Sequence, residues 1–90
     1  MIEMATTKQD IVNWLERGKE EGARWVVIIC DTYDYDDYPV YIRELDELRL
    51  RVGRAERGEN MMRLMEVYDL EQDIEEQKSE HRAMRLPEGF

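Results

Sequence analysis

The sequence predicts an α+β domain: a three-stranded, mainly antiparallel sheet with an N-terminal helix, a middle helix and a short C-terminal helix, in the order α-β-β-α-β-α. Three observations lead there. Trp25–Cys30, W-V-V-I-I-C, is an uninterrupted apolar run rich in β-branched side chains. Apolar residues at helical spacing flank it: Ile11, Trp14, Leu15 and Gly18 before it, Leu45, Leu48, Val52 and Ala55 after it. A turn signal, Arg57-Gly58-Glu59-Asn60, then separates the second stripe from a segment containing valine and tyrosine, Met61–Leu70.

Taken in order, residues 1–5 read as a loose leader. Helix 7–21 starts at an N-cap, Thr6 or Thr7, with Gln9 or Asp10 three residues on to close a capping box. Gly22 is its stop. Gly18 lies on the apolar face, where a missing side chain lets a sheet come close, against about 1 kcal/mol of lost helix propensity. Residues 24–31 form a strand with Trp25, Val27 and Ile29 on one face and Val26, Ile28 and Cys30 on the other. Both faces are apolar, so this strand is central and covered twice. So short a chain has few elements for two covers, which points to a second subunit and a homo-oligomer, a dimer or larger.

Pro39 lacks an N–H and suits a strand start, giving a returning strand over 39–42. Residues 44–57 fit a helix, supported by a Glu47/Arg51 pair at i,i+4, although Leu48–Val52 also alternates as a strand would. Residues 61–70 fit a strand, with Met65, Val67 and Asp69 on one face and Leu64, Glu66 and Tyr68 on the other; a helix is the alternative. Residues 71–83 are polar around Leu70 and Ile74 and read as a short surface helix, ended by Pro87-Glu88-Gly89. The whole is one domain, 1–90, with 87–90 loose.

Composition excludes several function classes. The 22 acidic against 13 basic residues give a net charge of −9. That disfavours nucleic acid and anionic membrane surfaces and favours a partner protein with a basic surface. The longest apolar run has six residues, too short for a membrane span, and the N-terminus lacks the features of a secretion signal, so the expected location is the cytoplasm. One cysteine, Cys30, permits no internal disulfide, and with the single His81 it cannot make a structural zinc site. No cofactor is expected.

The chemistry concentrates in Asp31–Tyr38, which holds four aspartates and three tyrosines. Asp31, Asp34, Asp36 and Asp37 offer hard oxygen ligands, but a calcium loop would need glycine at its sixth position and glutamate at its twelfth, and neither is present. The group reads as a solvated turn with no metal assigned. Tyr33, Tyr35, Tyr38 and Tyr41 accompany it, either packing on the sheet or forming a contact surface of the kind tyrosine favours. Asp31, Tyr33, Asp34, Tyr35, Asp36, Asp37 and Tyr38 are therefore the candidate partner-binding residues.

Arginines 49, 51, 54, 57 and 63 form a basic island. Arg49, Arg54 and Arg57 make an alternative site, in which guanidinium forks hold a nucleotide or other anion at a subunit junction. The competing expectation is that this island pairs with the acids of 66–80. Cys30 and His81 are a conceivable nucleophile pair, but Cys30 ends an apolar run and no orienting third residue is apparent, so no catalytic residue is assigned. A non-enzymatic role is preferred, and an enzyme using the Asp cluster with a metal ranks last among the readings. The six methionines suit adaptable packing or an interface.

The segments G-A-R-W-V-V-I-I-C-D-T-Y-D-Y-D-D-Y-P-V-Y (22–41) and N-M-M-R-L-M-E-V-Y-D-L (60–70) together resemble small acidic uncharacterised proteins of bacteriophages and bacteria. The resemblance implies a phage-borne accessory protein that binds and inhibits a host protein, including one of a defence system. It brings no activity, cofactor or site residues. The resulting expectation is a non-enzymatic interaction protein acting through the acidic, tyrosine-rich face; a small-ligand or nucleotide-sequestering protein using the arginines is the alternative.

Overall fold

A computed structural model describes residues 6–90, so the predicted leader 1–5 lies outside the described residues. The elements are α1 (Lys8–Glu20), β1 (Trp25–Asp31), β2 (Asp36–Ile42), α2 (Leu45–Glu56), a 3-10 turn (Glu59–Met61), β3 (Met62–Asp69) and α3 (Ile74–Ser79). The sheet is antiparallel, in the order β2-β1-β3. The predicted α+β class and element order are those observed.

Of the two possible caps for α1, the second forms. The Thr7 hydroxyl accepts from the Asp10 N–H at 3.1 Å, and the Asp10 carboxylate accepts from the Thr7 N–H at 3.0 Å. Thr6 is thereby released, and its hydroxyl donates to Asp37 on β2 at 2.5 Å. Gly18 is buried, and a Cβ there would stand 2.8 Å from Val26 Cγ2 and 3.0 Å from Leu70 Cδ1. Helix propensity favours Gly18→Ala by about 1 kcal/mol. Overpacking costs about 1–3 kcal/mol, so a net loss of roughly 1 kcal/mol is expected in urea unfolding; a stabilised variant would show that α1 lifts off the sheet freely.

β1 is central and buried from Trp25 through Cys30. On one face Trp25, Val27 and Ile29 join Leu48, Val52 and Ala55 of α2. On the other, Val26 and Ile28 join Leu15 of α1, Tyr68 of β3 and Ala83. A single chain supplies both covers, because α2 crosses back over the face that α1 leaves open. The two-sided strand therefore creates no need for a second subunit.

β2 begins at Asp36, three residues before the predicted start, and Pro39 sits inside it. The edge position of β2 makes this possible, since an edge strand tolerates a missing donor. β3 contains a bulge: Ile28 pairs with Glu66 and Ile29 with Leu64, leaving Met65 between them. Strict alternation fails there. Leu64 and Val67 face α2, whereas Met65 and Tyr68 pack on the α1 side. The predicted faces of 61–70, with Met65 beside Val67 and Leu64 beside Tyr68, are corrected accordingly.

α3 is shorter than the predicted 71–83 because the residues after Ser79 are used on the outer edge of β3. Val67 N–H donates to Ala83 O at 3.0 Å, and Arg85 N–H donates to Val67 O at 2.9 Å. The Arg82 guanidinium donates to the carbonyls of Met65 at 2.6 Å and Leu64 at 2.8 Å, next to the bulge. These contacts satisfy an edge that would otherwise present bare backbone groups. Residues 87–90 close on a turn in which Phe90 N–H donates to Pro87 O at 3.1 Å. No described helix is long and apolar enough to cross a membrane.

Candidate functional site

The predicted partner-binding residues occupy the β1–β2 hairpin, and their side chains take three directions. Asp31 shapes the turn: its carboxylate accepts from Tyr33 N–H at 2.8 Å, and its carbonyl accepts from Tyr35 N–H at 2.6 Å. Tyr33, Asp34, Tyr35 and Asp36 form the exposed tip, with both tyrosines 74% exposed. Asp37 turns onto the α1 side of the sheet, where Thr6 donates to it. Tyr38 packs against the core under α2. The seven residues share one hairpin, but only the four at the tip form a solvent surface.

The tip is held firmly. The Thr32 N–H and hydroxyl both donate to Met61 O, at 2.8 and 3.0 Å. Tyr35 has φ +61, a left-handed conformation that costs a β-carbon residue roughly 1–2 kcal/mol. Asp31 stands opposite Asp36 in the strand register, a repulsive like-charge pair. Among the described residues, none of the four aspartates of the hairpin forms an ion pair with lysine or arginine. No three His, Cys, Asp or Glu side chains among the described residues gather as a metal would require.

The arginine island is split, with Arg54 and Arg57 sharing Glu59 and Arg49 apart from them. Arg49 and Arg54 are five positions apart on α2, about 140° around the helix. Arg49 lies 3.9 Å from Asp46, Arg54 lies 3.9 Å from Glu59, and Arg57 lies 2.8 Å from the same Glu59. Their partners are thus local acids rather than those of 66–80. The latter pair elsewhere: Asp69 and Glu71 with Arg24, Glu75 with Lys78, Glu76 and Glu80 with Arg85. Cys30 is buried, and burial pushes its thiol up, with neighbouring Asp37 acting in the same direction. A thiol held protonated is a poor nucleophile. His81 is exposed.

Sequence reasoning missed a second feature beside the hairpin. A groove of about 530 Å³ lies between the first turn of α1, α3 and the sheet. Glu66 and Tyr68 form part of its lining from β3, and Asp37 enters from β2. Ile11, Val12 and Met65 supply apolar wall. Glu66 is half-buried, and it is the one half-buried glutamate among the described residues without an ion pair; Glu80, the other half-buried glutamate, is held by Arg85. Burial pushes the Glu66 carboxyl above its ordinary value, against the opposing effects of the Tyr68 hydroxyl and the Ala83 N–H. The same burial, then the Glu66 charge, pushes the Tyr68 phenol up and keeps it protonated as a donor. The sequence signal was weak: alternation alone pairs Glu66 with Leu64, and only the bulge sets it beside Met65.

A raised carboxyl fixes the sign of a pH effect. The folded state holds the Glu66 proton more tightly than the unfolded chain, whose value is near 4.5. The contribution is complete below that pH and is lost as pH rises through the higher folded value. Glu66→Gln is therefore expected to gain stability relative to the parent as pH rises from about 4 to 7. Urea midpoints compared across that range test it, and a constant difference would refute it.

Comparison of the chain with protein-family models, with curated proteins and with solved structures finds no match.

Proposed function

We propose that the chain is a non-enzymatic interaction protein that binds and modulates another protein, one with a basic surface, through the hairpin tip Tyr33, Asp34, Tyr35 and Asp36. The observation that carries this is the tip itself: two tyrosines each 74% exposed, on a turn locked by backbone and side-chain hydrogen bonds. Folding gains little from exposed aromatic rings, from a left-handed tyrosine or from aspartates facing each other. Binding does gain from them. Rigid aromatic side chains lose little entropy on contact, and acids without intramolecular partners draw in basic ones. Met61, itself 55% exposed, joins the tip through Thr32 and extends its apolar area. The resemblance to phage proteins makes a bacterial host protein, including a defence protein, the concrete partner.

The test compares the parent with Tyr33→Ala/Tyr35→Ala and with Arg49→Ala as a surface control. A partner captured from bacterial lysate by the parent is purified and its affinity measured for all three. Loss of two exposed hot-spot tyrosines is expected to weaken binding about 30-fold or more, with the control unchanged. Affinity should also fall as salt rises from about 0.05 to 0.5 M. Equal affinity of parent and double variant would rule out the tip as the binding surface.

A further inference from the structure

We infer that the groove between α1, α3 and the sheet is a binding site for a small organic amine: a primary ammonium group held by Glu66 and Asp37, with its apolar body on Ile11, Val12 and Met65. Three independent observations converge on it. The first is the cavity, whose roughly 530 Å³ falls within the range of small-molecule sites. The second is the bulge at Met65. A bulge re-aims side chains, and this one puts a thioether and a carboxylate on the same side of the sheet. The third is the state of Glu66. Of the two half-buried glutamates among the described residues, Glu80 is paired by Arg85 and Glu66 is not. Burial and the Asp37 charge disfavour the Glu66 carboxylate, and the Tyr68 hydroxyl, the Ala83 N–H and the charge of Arg82 oppose them.

Charge decides the ligand class. Of the other acids lining the groove, Glu75 is neutralised by Lys78 at 2.9 Å and Glu80 by Arg85. Asp37 accepts from the neutral hydroxyl of Thr6 and has no ion pair among the described residues. Two lining carboxylates, Glu66 and Asp37, thus remain without an ion pair among the described residues, and Lys8 and His81 line the groove beside them. An anion would meet repulsion from both. A divalent metal would want a third ligand close by, which the described residues do not supply. An ammonium with an apolar substituent meets both requirements: a charge-assisted hydrogen bond to each carboxylate, and contact with thioether and aliphatic side chains. The site uses none of the exposed tip tyrosines, so it goes beyond the interaction surface and fails or stands separately from it.

Phenethylammonium is a suitable probe, with phenethyl alcohol as its neutral counterpart and sodium chloride at matched ionic strength. Amide and methyl spectra of the full chain are recorded during titration. Saturable shifts centred on Val12, Met65 and Glu66 are expected with the amine and not with the alcohol. Glu66→Gln keeps the size of the side chain and an acceptor for Tyr68, and should weaken binding at least about tenfold; Asp37→Asn, on another strand, should weaken it as well. Tyr33→Ala/Tyr35→Ala should leave it unchanged. Equal response to the alcohol, shifts scattered over remote acids such as Asp46, or undiminished affinity in both carboxylate variants would each overturn the site.

Discussion

Asp69→Ala is expected to lower the stability of this domain by about 2–4 kcal/mol, a large share of the roughly 5–15 kcal/mol that a small domain has in total. Asp69 is only 2% exposed at the end of β3. Its carboxylate accepts from Arg24 Nε at 3.1 Å and Nη2 at 3.3 Å, from Glu71 N–H at 2.9 Å and from Gln72 Nε2 at 3.3 Å. Its backbone is gripped by fully buried Gln77, whose carbonyl accepts the Asp69 N–H and whose amide donates to Asp69 O, both at 2.8 Å. The carboxylate thus ties together the approach to β1, the end of β3 and the turn into α3. Alanine removes every one of those acceptors at once. Arg24 moderates the loss, because it is 38% exposed, retains Glu71 at 3.3 Å and lies over the Trp25 ring at 4.7 Å. The expected fall in melting temperature is roughly 10–30 °C, read by thermal denaturation. A fall of less than about 4 °C would mean that water and Glu71 replace the carboxylate.

The elements that were legible in the sequence are those whose signal is local. The cap of α1 is written in Thr7 and Asp10, and Gly22 adopts φ +77 where the helix stops. The apolar run Trp25–Cys30 marks a central strand without reference to any partner. What was not legible depends on residues far apart in sequence. The second cover of β1 comes from α2, and nothing in the strand itself tells a helix of the same chain from a second subunit. The end of α3 is set by Val67, which accepts the backbone of residues 83–85 as a neighbour; the polar run 71–83 carries no mark of it.

The candidate sites divide along the same line. Asp31–Tyr38 stood out by composition, and the hairpin does gather those residues, yet Tyr38 and Asp37 leave the surface because strand alternation sends them to opposite faces of the sheet. The arginines 49, 54 and 57 looked like a cluster because they are close in sequence; helical rotation sets Arg49 apart with Asp46, and Glu59 takes up both Arg54 and Arg57. Glu66 went unnoticed for the converse reason. Its neighbours in the groove come from α1, β2 and α3, and Met65 stands beside it only because of a single bulge.

Ile28→Ala is expected to cost about 2–5 kcal/mol, against about 1 kcal/mol for Ile28→Val. Ile28 is 1% exposed in the middle of β1, paired with Pro39 on one side and Glu66 on the other, and packed in the cluster with Leu15, Val26 and Tyr68. α1 is anchored over that cluster through Gly18, and a helix seated that closely has little freedom to settle into the space a lost side chain leaves. The void would lie under Tyr68 and beside Glu66, at the floor of the groove. Ile29→Ala removes the same atoms from the adjacent residue, but from the face covered by α2. The two variants should therefore lose similar stability while differing in where they disturb the molecule: Ile28→Ala shifts the Met65 methyl and Glu66 amide signals, and Ile29→Ala shifts those of Leu48 and Val52. If Ile29→Ala moved the groove signals as much, the sheet would be transmitting strain between its faces, and the groove could no longer be treated as a site built on one face alone.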